Sequence, residues 1–332
     1  MAAKREREGV LIGTTLGEAS DTVVASGIWA AKAIGATVHL VHAFEKPPLV
    51  AGGPLEPNAS QALAGRRETA AARRRSMEEQ IERLRIPGSA AIVRHVEEGA
   101  AEPVLHDAAV CERAELIVVG IRDTRRAPWI GSTAARVVRT APCPVLVLCG
   151  HALTLPPRRV LMPIDMSPAS DAVVRQGLAL LDRLGARPAT ARCEPTAVEA
   201  LYVIEPTGSE RFLPHFDLDG AIGRAAARLG AFLAAPGRED WRIACHAAFG
   251  GPREEILRRI EAVRPDLVVM GTHGLRGIER FVLGSVAEGV LRTGRSNVHV
   301  IPTAPARGAA DVADAATESG GGGDRTPHRL SL

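Results

Sequence analysis

The 332-residue sequence is poor in aromatic residues and in lysine. Phe, Trp and Tyr together make up 3% of it, which argues against an aromatic platform for single-stranded nucleic acid. The only lysines are Lys4, Lys32 and Lys46. A Walker-type phosphate loop needs a lysine, so the chain beyond residue 46 cannot contain one. The five cysteines form no Cys-x-x-Cys motif, and we expect them to be reduced core residues, not disulfides or metal ligands: Cys111, Cys143, Cys149, Cys193 and Cys245.

Segments directed to a membrane are also missing. No stretch approaches the roughly 18 uninterrupted apolar residues of a membrane span, and the charged residues 1–9 lack the apolar stretch of a signal peptide. The net charge is only +3, and glutamates accompany the densest arginine run, residues 66–75, so a solvated helix face is favoured over a nucleic-acid patch. The sequence therefore predicts a cytoplasmic protein that contacts neither membrane nor nucleic acid.

The sequence contains an internal repeat. Residues 10–13 (VLIG) match 160–163 (VLMP) at an offset of 150, and Gly131-Ser132 match Gly284-Ser285 at an offset of 153. The offset drifts slowly and in order, as a duplicated domain with small loop changes would produce. We place the first domain at 8–150, the second at 158–303, and a disordered tail at 304–332, where the sequence has no packing pattern.

Within each copy, predicted strands and helices alternate. The first copy has strands at 9–15, 36–44, 90–97, 115–120 and 144–149, and helices at 18–34, 60–85, 101–113 and 132–140. The second has strands at 158–164, 197–204, 241–248, 266–271 and 297–301, and helices at 168–185, 219–235, 252–263 and 285–293. Short continuous apolar runs such as 116–119 are typical of strands covered on both faces. The fold class is therefore α/β, with two tandem doubly wound parallel-sheet domains of Rossmann-like type.

The clearest candidate site is a glycine-rich segment in the second copy, Gly271, Gly274 and Gly284-Ser285, with the spacing G-x2-G-x9-G-S. The first glycine closes a buried strand, and the last pair opens a helix. Glycines let the backbone approach a polyphosphate closely, and unpaired amides at a helix N-terminus donate to phosphate oxygens. The alternative is a tight strand-to-helix turn that Ser285 caps and that binds no ligand.

Two further segments lead to the same edge of the predicted sheet, where doubly wound folds bind their ligands. Asp165 follows the first strand of the second copy, where a carboxylate can accept hydrogen bonds from a ribose or help to hold a metal ion beside phosphates. The alternative is a purely local role, with Ser167 capping the following helix. Val203 ends the second strand, where backbone groups could meet an adenine edge, although a core role is the alternative.

Cationic help for a phosphate would come from Arg276, Arg280 or a bound divalent ion, because the second copy has no lysine. His273 could contact phosphate or ribose. For each of these three side chains, simple exposure to solvent is the alternative.

The first copy departs from this pattern at two of the site positions. Thr15 stands in the place of Asp165, and Asp123 stands in the place of Gly274. At about 4 Å a carboxylate and a phosphate repel each other by roughly 1 kcal/mol even in water. We therefore expect the first copy to bind nucleotide poorly or not at all.

At these residues the chain resembles a tandem universal stress protein, most specifically over 160–170 (VLMPIDMSPAS) and 266–285 (DLVVMGTHGLRGIERFVLGS). The resemblance covers about residues 8–302. Because family members with this glycine motif bind ATP, it implies an ATP site, with or without Mg²⁺, in the second copy. By the resemblance that site would be lined by Pro163, Asp165, Val203, Met270, Gly271, His273, Gly274, Gly284, Ser285 and Val286. The family tends to pair domains through the last strand, which implies that 145–148 pairs with 298–301 and leaves a further homodimer open.

The leading hypothesis is an ATP-binding regulatory protein of the stress response, in which nucleotide held by the second domain alters the binding of an unidentified protein partner. No activated nucleophile is recognisable, and no evident catalytic base beyond Asp165, so we assign no catalytic residue and no metal site. The alternatives are a slow ATP hydrolase and a scaffold that uses the duplicated fold for protein contacts without nucleotide.

Overall fold

The computed structural model describes residues 9–45, 59–85, 92–121, 132–186, 195–206, 217–272, 283–293 and 295–303. The strands of the first half are β1 (Gly9–Gly13), β2 (Thr37–Phe44), β3 (Ile92–Glu98), β4 (Ala114–Gly120) and β5 (Val145–Leu148). Its helices are α1 (Asp21–Ile34), α2 (Ala59–Leu84), α3 (Ala101–Cys111) and α4 (Ser132–Thr140).

The strands of the second half are β6 (Arg159–Pro163), β7 (Ala197–Ile204), β8 (Ile243–Phe249), β9 (Leu267–Gly271) and β10 (Asn297–Ile301). Its helices are α5 (Pro168–Arg183), α6 (Leu218–Leu233), α7 (Pro252–Val263) and α8 (Ser285–Thr293). All the predicted strands and helices are present, and their ends differ from the prediction by a few residues.

The strands form one ten-stranded sheet in the order β3-β2-β1-β4-β5-β10-β9-β6-β7-β8. Within each half the neighbouring strands are parallel. The two halves join through an antiparallel pair, in which His299 of β10 lies opposite Leu146 of β5. The fold-class prediction is confirmed, and so is the expected pairing of the last strands. In each half the strand order reverses between its first and fourth strands, which places the ligand crevice of the second half between β6 and β9.

The two halves repeat local backbone conformations as well as topology. Leu16 and Met166 follow the first strand of their halves, and both have positive φ, 64° and 57°. Arg113 and Arg264 follow the third helix, with φ of 48° and 45°. Because non-glycine residues rarely adopt this region, its recurrence at equivalent positions means that these turns belong to the fold of the repeat. A positive φ at Met166 is therefore no evidence of a ligand site.

The hydrophobic core has two layers, one on each face of the sheet, and each layer runs through both halves. Alternate strand residues divide between them: Ile12 contacts the layer under α1, α2, α5 and α6, and Leu11 contacts the layer under α3, α4, α7 and α8. The junction strands are buried throughout, from Val145 to Leu148 and from Val298 to Ile301. Both core layers therefore continue across the junction between the two halves.

The cysteines only partly match the prediction. Cys143 and Cys149 are buried, and burial raises the pKa of each thiol to about 12, so both are inert thiols. The prediction was wrong for Cys111, which is exposed because it is the last residue of α3 and lies on the solvent side. Cys245 is half-buried, and Cys193 lies outside the described residues.

Three other expectations concern the surface. Arg73, Arg74 and Arg75 are exposed on α2, as a solvated helix face requires. In the described ranges, no helix combines the length and apolarity needed to cross a membrane. The tail predicted at 304–332 lies outside the described residues.

Candidate functional site

Three strands of the second half bring candidate residues to one edge of the sheet. The neighbouring strands β9, β6 and β7 are parallel, so their carboxyl ends lie at the same edge. Gly271 is the last residue of β9, Asp165 follows β6, and Val203 is the penultimate residue of β7. The strand order reverses between β6 and β9, so Asp165 and Gly271 flank the crevice in which doubly wound folds bind ligands.

Asp165 is held in place by the turn that leads into α5. Its Oδ1 accepts hydrogen bonds from the Ser167 amide at 2.9 Å and from the Ser170 hydroxyl at 2.5 Å. Ser167 in turn caps α5, because its Oγ accepts from the Ser170 amide at 3.3 Å. The local role that the sequence left open is therefore present, and it fixes a partly buried carboxylate at the mouth of the crevice.

The two ends of the glycine-rich segment meet at the same edge. The Gly284 amide donates to the Thr272 carbonyl at 2.9 Å, and Gly284 precedes the first residue of α8, Ser285. Thr272 is buried and anchored to the end of β10, since its amide donates to the Ile301 carbonyl at 3.1 Å. The start of α8 therefore lies directly beside the end of β9.

This geometry corrects two expectations about the turn. Ser285 is the first residue of α8 and Gly284 holds the capping position, so the alternative in which Ser285 caps the helix is wrong. The Gly284 amide is already bonded to Thr272, so it is not one of the unpaired amides expected there. The first-turn amides of a helix have no partner inside the helix, so the amides of Ser285, Val286 and Ala287 lie at the open start of α8. The Ser285 side chain is exposed.

The apolar members of the predicted site contact one core layer. Met270 is buried within β9, so only its backbone can face a ligand. Val203 and Val286 are half-buried and pack against the same layer, and Pro163 ends β6 in a half-buried position. Val203 therefore contacts the core, as the alternative interpretation predicted, but it is not fully buried. His273 and Gly274 lie outside the described residues, as do Arg276 and Arg280.

The equivalent edge of the first half contains a buried polar network. The Thr14 hydroxyl donates to the Gln80 side-chain oxygen at 2.7 Å and lies 3.0 Å from the Ser20 hydroxyl, to which the Gln80 amide also donates. Gln80 is fully buried, although it belongs to the polar helix α2. These bonds fasten α2 to the carboxyl end of β1.

The same network continues to an ion pair. Gln80 and Arg83 both donate to Asp21 at the start of α1, and the Arg83 bond is the main cause that lowers the Asp21 pKa. The second half has apolar contacts in place of these polar ones. Ile164 stands in the place of Thr14, and Leu229 stands in the place of Gln80, since each lies four residues before the end of its helix. The two edges therefore differ in chemistry, for a reason that the sequence analysis missed. Asp123, on which it relied, lies outside the described residues.

A cavity of about 680 Å³ lies at the opposite edge of the sheet, below the amino-terminal ends of β9 and β10. Several of its charged lining groups are already paired: Arg295 with Glu261, and the Asp266 carboxylate with the amides of Arg158 and Arg159. We therefore assign the candidate site to the carboxyl edge, where the polar groups converge.

Comparisons with known proteins agree with this architecture. A family model described as the universal stress protein family matches residues 7–148 and again 157–302. A universal stress protein from Methanocaldococcus jannaschii is 42% identical over 65 residues, which are 19% of this chain and 38% of that protein. The matched segment thus spans well under half the length of that curated relative.

A solved universal stress protein structure has the same overall fold. The crystal structure of a universal stress protein from Archaeoglobus fulgidus has a TM-score of 0.59 at 18% identity, covering 89% of this chain and 98% of that one. A universal stress protein solved in complex with cAMP is 20% identical over 43% of this chain and 98% of that one, with a TM-score of 0.31.

Proposed function

The chain belongs to the universal stress protein family, and from that membership we propose that it is a stress-response regulator that binds ATP, with or without Mg²⁺, in its second half only. In this proposal residues 158–303 hold the nucleotide, and residues 8–150 are a nucleotide-free partner domain. The protein acts in the cytoplasm, and occupancy of the site alters the binding of a protein partner.

One observation carries the proposal. A fixed carboxylate, a strand-ending glycine and a helix N-terminus converge on the crevice between β6 and β9. Phosphates accept hydrogen bonds from the amides of Ser285 and Val286 and from the Ser285 hydroxyl, supported by the dipole of α8. Asp165 accepts hydrogen bonds from ribose hydroxyls, and the backbone near Val203 contacts the adenine. No described residue supplies a positioned base and nucleophile, so we propose binding without strong catalysis.

The first half keeps a strand-ending glycine, Gly120, and a helix that begins at Ser132, but it lacks the fixed carboxylate at the matching edge. Thr15 replaces the carboxylate, and it is exposed. Buried hydrogen bonds from Gln80 hold α2 over the end of β1. Breaking these bonds would leave several buried polar groups unpaired, which is energetically unfavourable. This supports one nucleotide per chain.

The decisive experiment is a matched pair of charge substitutions in the full chain. Ser285 and Ser132 are the first residues of α8 and α4, where an Asp is favourable to the helix dipole, so neither variant should be destabilised. Titration calorimetry with MgATP should give one site per chain for the wild type and for Ser132→Asp. Ser285→Asp should bind at least about a hundredfold more weakly, because a carboxylate then faces the phosphates.

Each other outcome is informative. Two sites per chain, one of them lost in Ser132→Asp, would contradict the asymmetry between the halves. No saturable binding by the wild type would favour the scaffold alternative. Steady ATP turnover that disappears in Ser285→Asp would favour the hydrolase.

A second prediction isolates the carboxylate. Asp165→Asn keeps an oxygen that can accept from the Ser167 amide and the Ser170 hydroxyl, so the turn and the stability should change little. Affinity for ATP should fall about tenfold, because hydrogen bonds to a charged acceptor are stronger than those to a neutral one by about 1 kcal/mol. The matched change in the first half, Thr15→Asn, should leave affinity unaltered.

The ligand itself provides the control for this prediction. If Asp165 contacts the ribose hydroxyls, 2′,3′-dideoxy-ATP should bind the wild type more weakly than ATP does but should lose little further affinity in Asp165→Asn. If replacing ATP by 2′,3′-dideoxy-ATP lowers the affinity of the wild type and of Asp165→Asn by the same factor, the carboxylate does not contact the ribose.

A further inference from the structure

Two histidines and a glutamate converge in the first half, away from the nucleotide edge. His39 is on β2, His95 is on the edge strand β3, and Glu112 directly follows α3. Their ligand atoms all lie within 4.8 Å of one another. The three residues form no sequence motif, because they are far apart in the chain.

The two distances from His39 to the other ligand atoms suit a metal ion. His39 Nδ1 lies 3.1 Å from His95 Nε2 and 3.6 Å from Glu112 Oε2. Zinc–nitrogen bonds of 2.0–2.1 Å at tetrahedral angles separate two ligand atoms by about 3.3 Å, which lies between these two values. Without metal, one ring nitrogen donates to the other. Each neutral ring can instead carry its proton on its second nitrogen and present both lone pairs to a cation.

The central ligand is held rigidly. His39 is buried, and its ring edge lies so close to Gly9 that a Cβ there would come within 2.9 Å of His39 Cδ2. The ring is thus fixed with Nδ1 toward the other two groups. His95 and Glu112 are only half-buried, so an ion can enter from solvent and a water can complete its coordination.

The second half treats the same position differently. Glu199 of β7 stands where β2 has His39, and Arg259 of α7 binds it through two hydrogen bonds of 2.6 and 2.5 Å. In the second half, the cation at this position is therefore the Arg259 guanidinium. In the described part of the first half, the ion-pair partner of Glu112 is His39 itself, and no arginine or lysine takes the role of Arg259. The first half therefore has the donor groups without the cation.

We propose that His39, His95 and Glu112 form a binding site for a divalent transition-metal ion of the zinc type. The set consists of two imidazoles and one carboxylate, which are common zinc ligands, and it leaves a fourth position open. The metal would join β2, the edge strand β3 and the end of α3, so it would stabilise the outer part of the first half. This proposal is independent of nucleotide binding.

The test is titration of the tag-free full chain with Zn²⁺. We expect one saturable site per chain, a rise in melting temperature with added Zn²⁺, and visible absorption of a tetrahedral Co²⁺ complex. His95→Ala and Glu112→Gln change half-buried side chains, so both variants should fold. Each should weaken Zn²⁺ binding at least about tenfold and reduce the thermal shift.

Two variants serve as controls. His246→Ala removes the exposed histidine at the matching position of β8, and Cys111→Ser removes the exposed thiol next to Glu112. Both should bind Zn²⁺ as the wild type does. The proposal is overturned if the wild type shows no saturable Zn²⁺ binding, if His95→Ala binds like the wild type, or if binding is lost only with Cys111.

Discussion

Replacing Val298 by Asp should destabilise both halves of the protein together, by about 4 kcal/mol or more. Val298 is fully buried in β10 and lies between Val147 of the first half and Val268 of the second. An unpaired carboxylate there has neither water nor a cation, which is among the few changes that cost this much. Calorimetry should show one transition at a lower temperature, because the shared core layers couple the two halves.

The comparison for this prediction is the same substitution at Val93, which is 38% exposed on the edge strand β3. Val93→Asp, measured without divalent metal, should change the free energy of unfolding by no more than about 0.5 kcal/mol. Two separated transitions in Val298→Asp, with one half still melting at the wild-type temperature, would show that the halves fold independently.

The same junction bears on how nucleotide binding is assigned to one half. A fragment ending after β5 or beginning before β6 would expose one junction strand as an unpaired edge with apolar side chains on both faces. Such edges pair with other chains. Fragments would therefore self-associate, and substitutions in the full chain are the sounder test of asymmetry.

Much of this fold could be predicted from local sequence pattern. Short β-branched runs such as Leu116–Val119 have the composition of strands covered on both faces, and the structure buries this one. The repeat predicts that the two halves share one topology, because each copy has the same order of strands and helices. The placement of Asp165 and Gly271 at the same edge follows from the parallel strands alone, since carboxyl ends share an edge, but their position on one crevice required the pairing of β6 with β9.

The features that were missed depend on contacts between distant segments. Gln80 lies in a helix of arginines and glutamates, where a polar residue normally faces solvent, and only the position of Thr14 makes its burial favourable. The grouping of His39 with His95 needed the pairing of β2 with β3 and the end of α3. Likewise, whether the Gly284 amide is paired depends on where Thr272 lies, and the glycine spacing does not contain that information.

His299 should make the protein less stable as the pH falls from 6.5 toward 4. It lies at the centre of the junction, opposite Leu146, and it is 2% exposed with its Nδ1 unpaired among the described residues. Burial lowers the pKa of His299 to about 4, whereas an unfolded histidine titrates near 6.5. Between these values the unfolded chain binds the proton and the folded protein does not, so acidification favours unfolding.

The effect can be isolated with His299→Leu. The residue equivalent to His299 in the first half is Leu146, so the substitution repeats a side chain that the same position already accommodates. From pH 7.5 to pH 5, urea unfolding of the wild type should lose about 2 kcal/mol that the variant keeps. At pH 7.5 the variant should be at least as stable as the wild type, because it no longer buries an unpaired nitrogen.

His39 and His42 are also buried, and burial lowers the pKa of both, so they add to the wild-type slope in the same direction. They are unchanged in His299→Leu, and the difference between the two proteins therefore belongs to residue 299 alone. His246→Leu, at an exposed position, should leave the slope as it is. If His299→Leu and the wild type lose stability equally on acidification, the imidazole at the junction is protonated in the folded protein, and the junction must open enough to hydrate it.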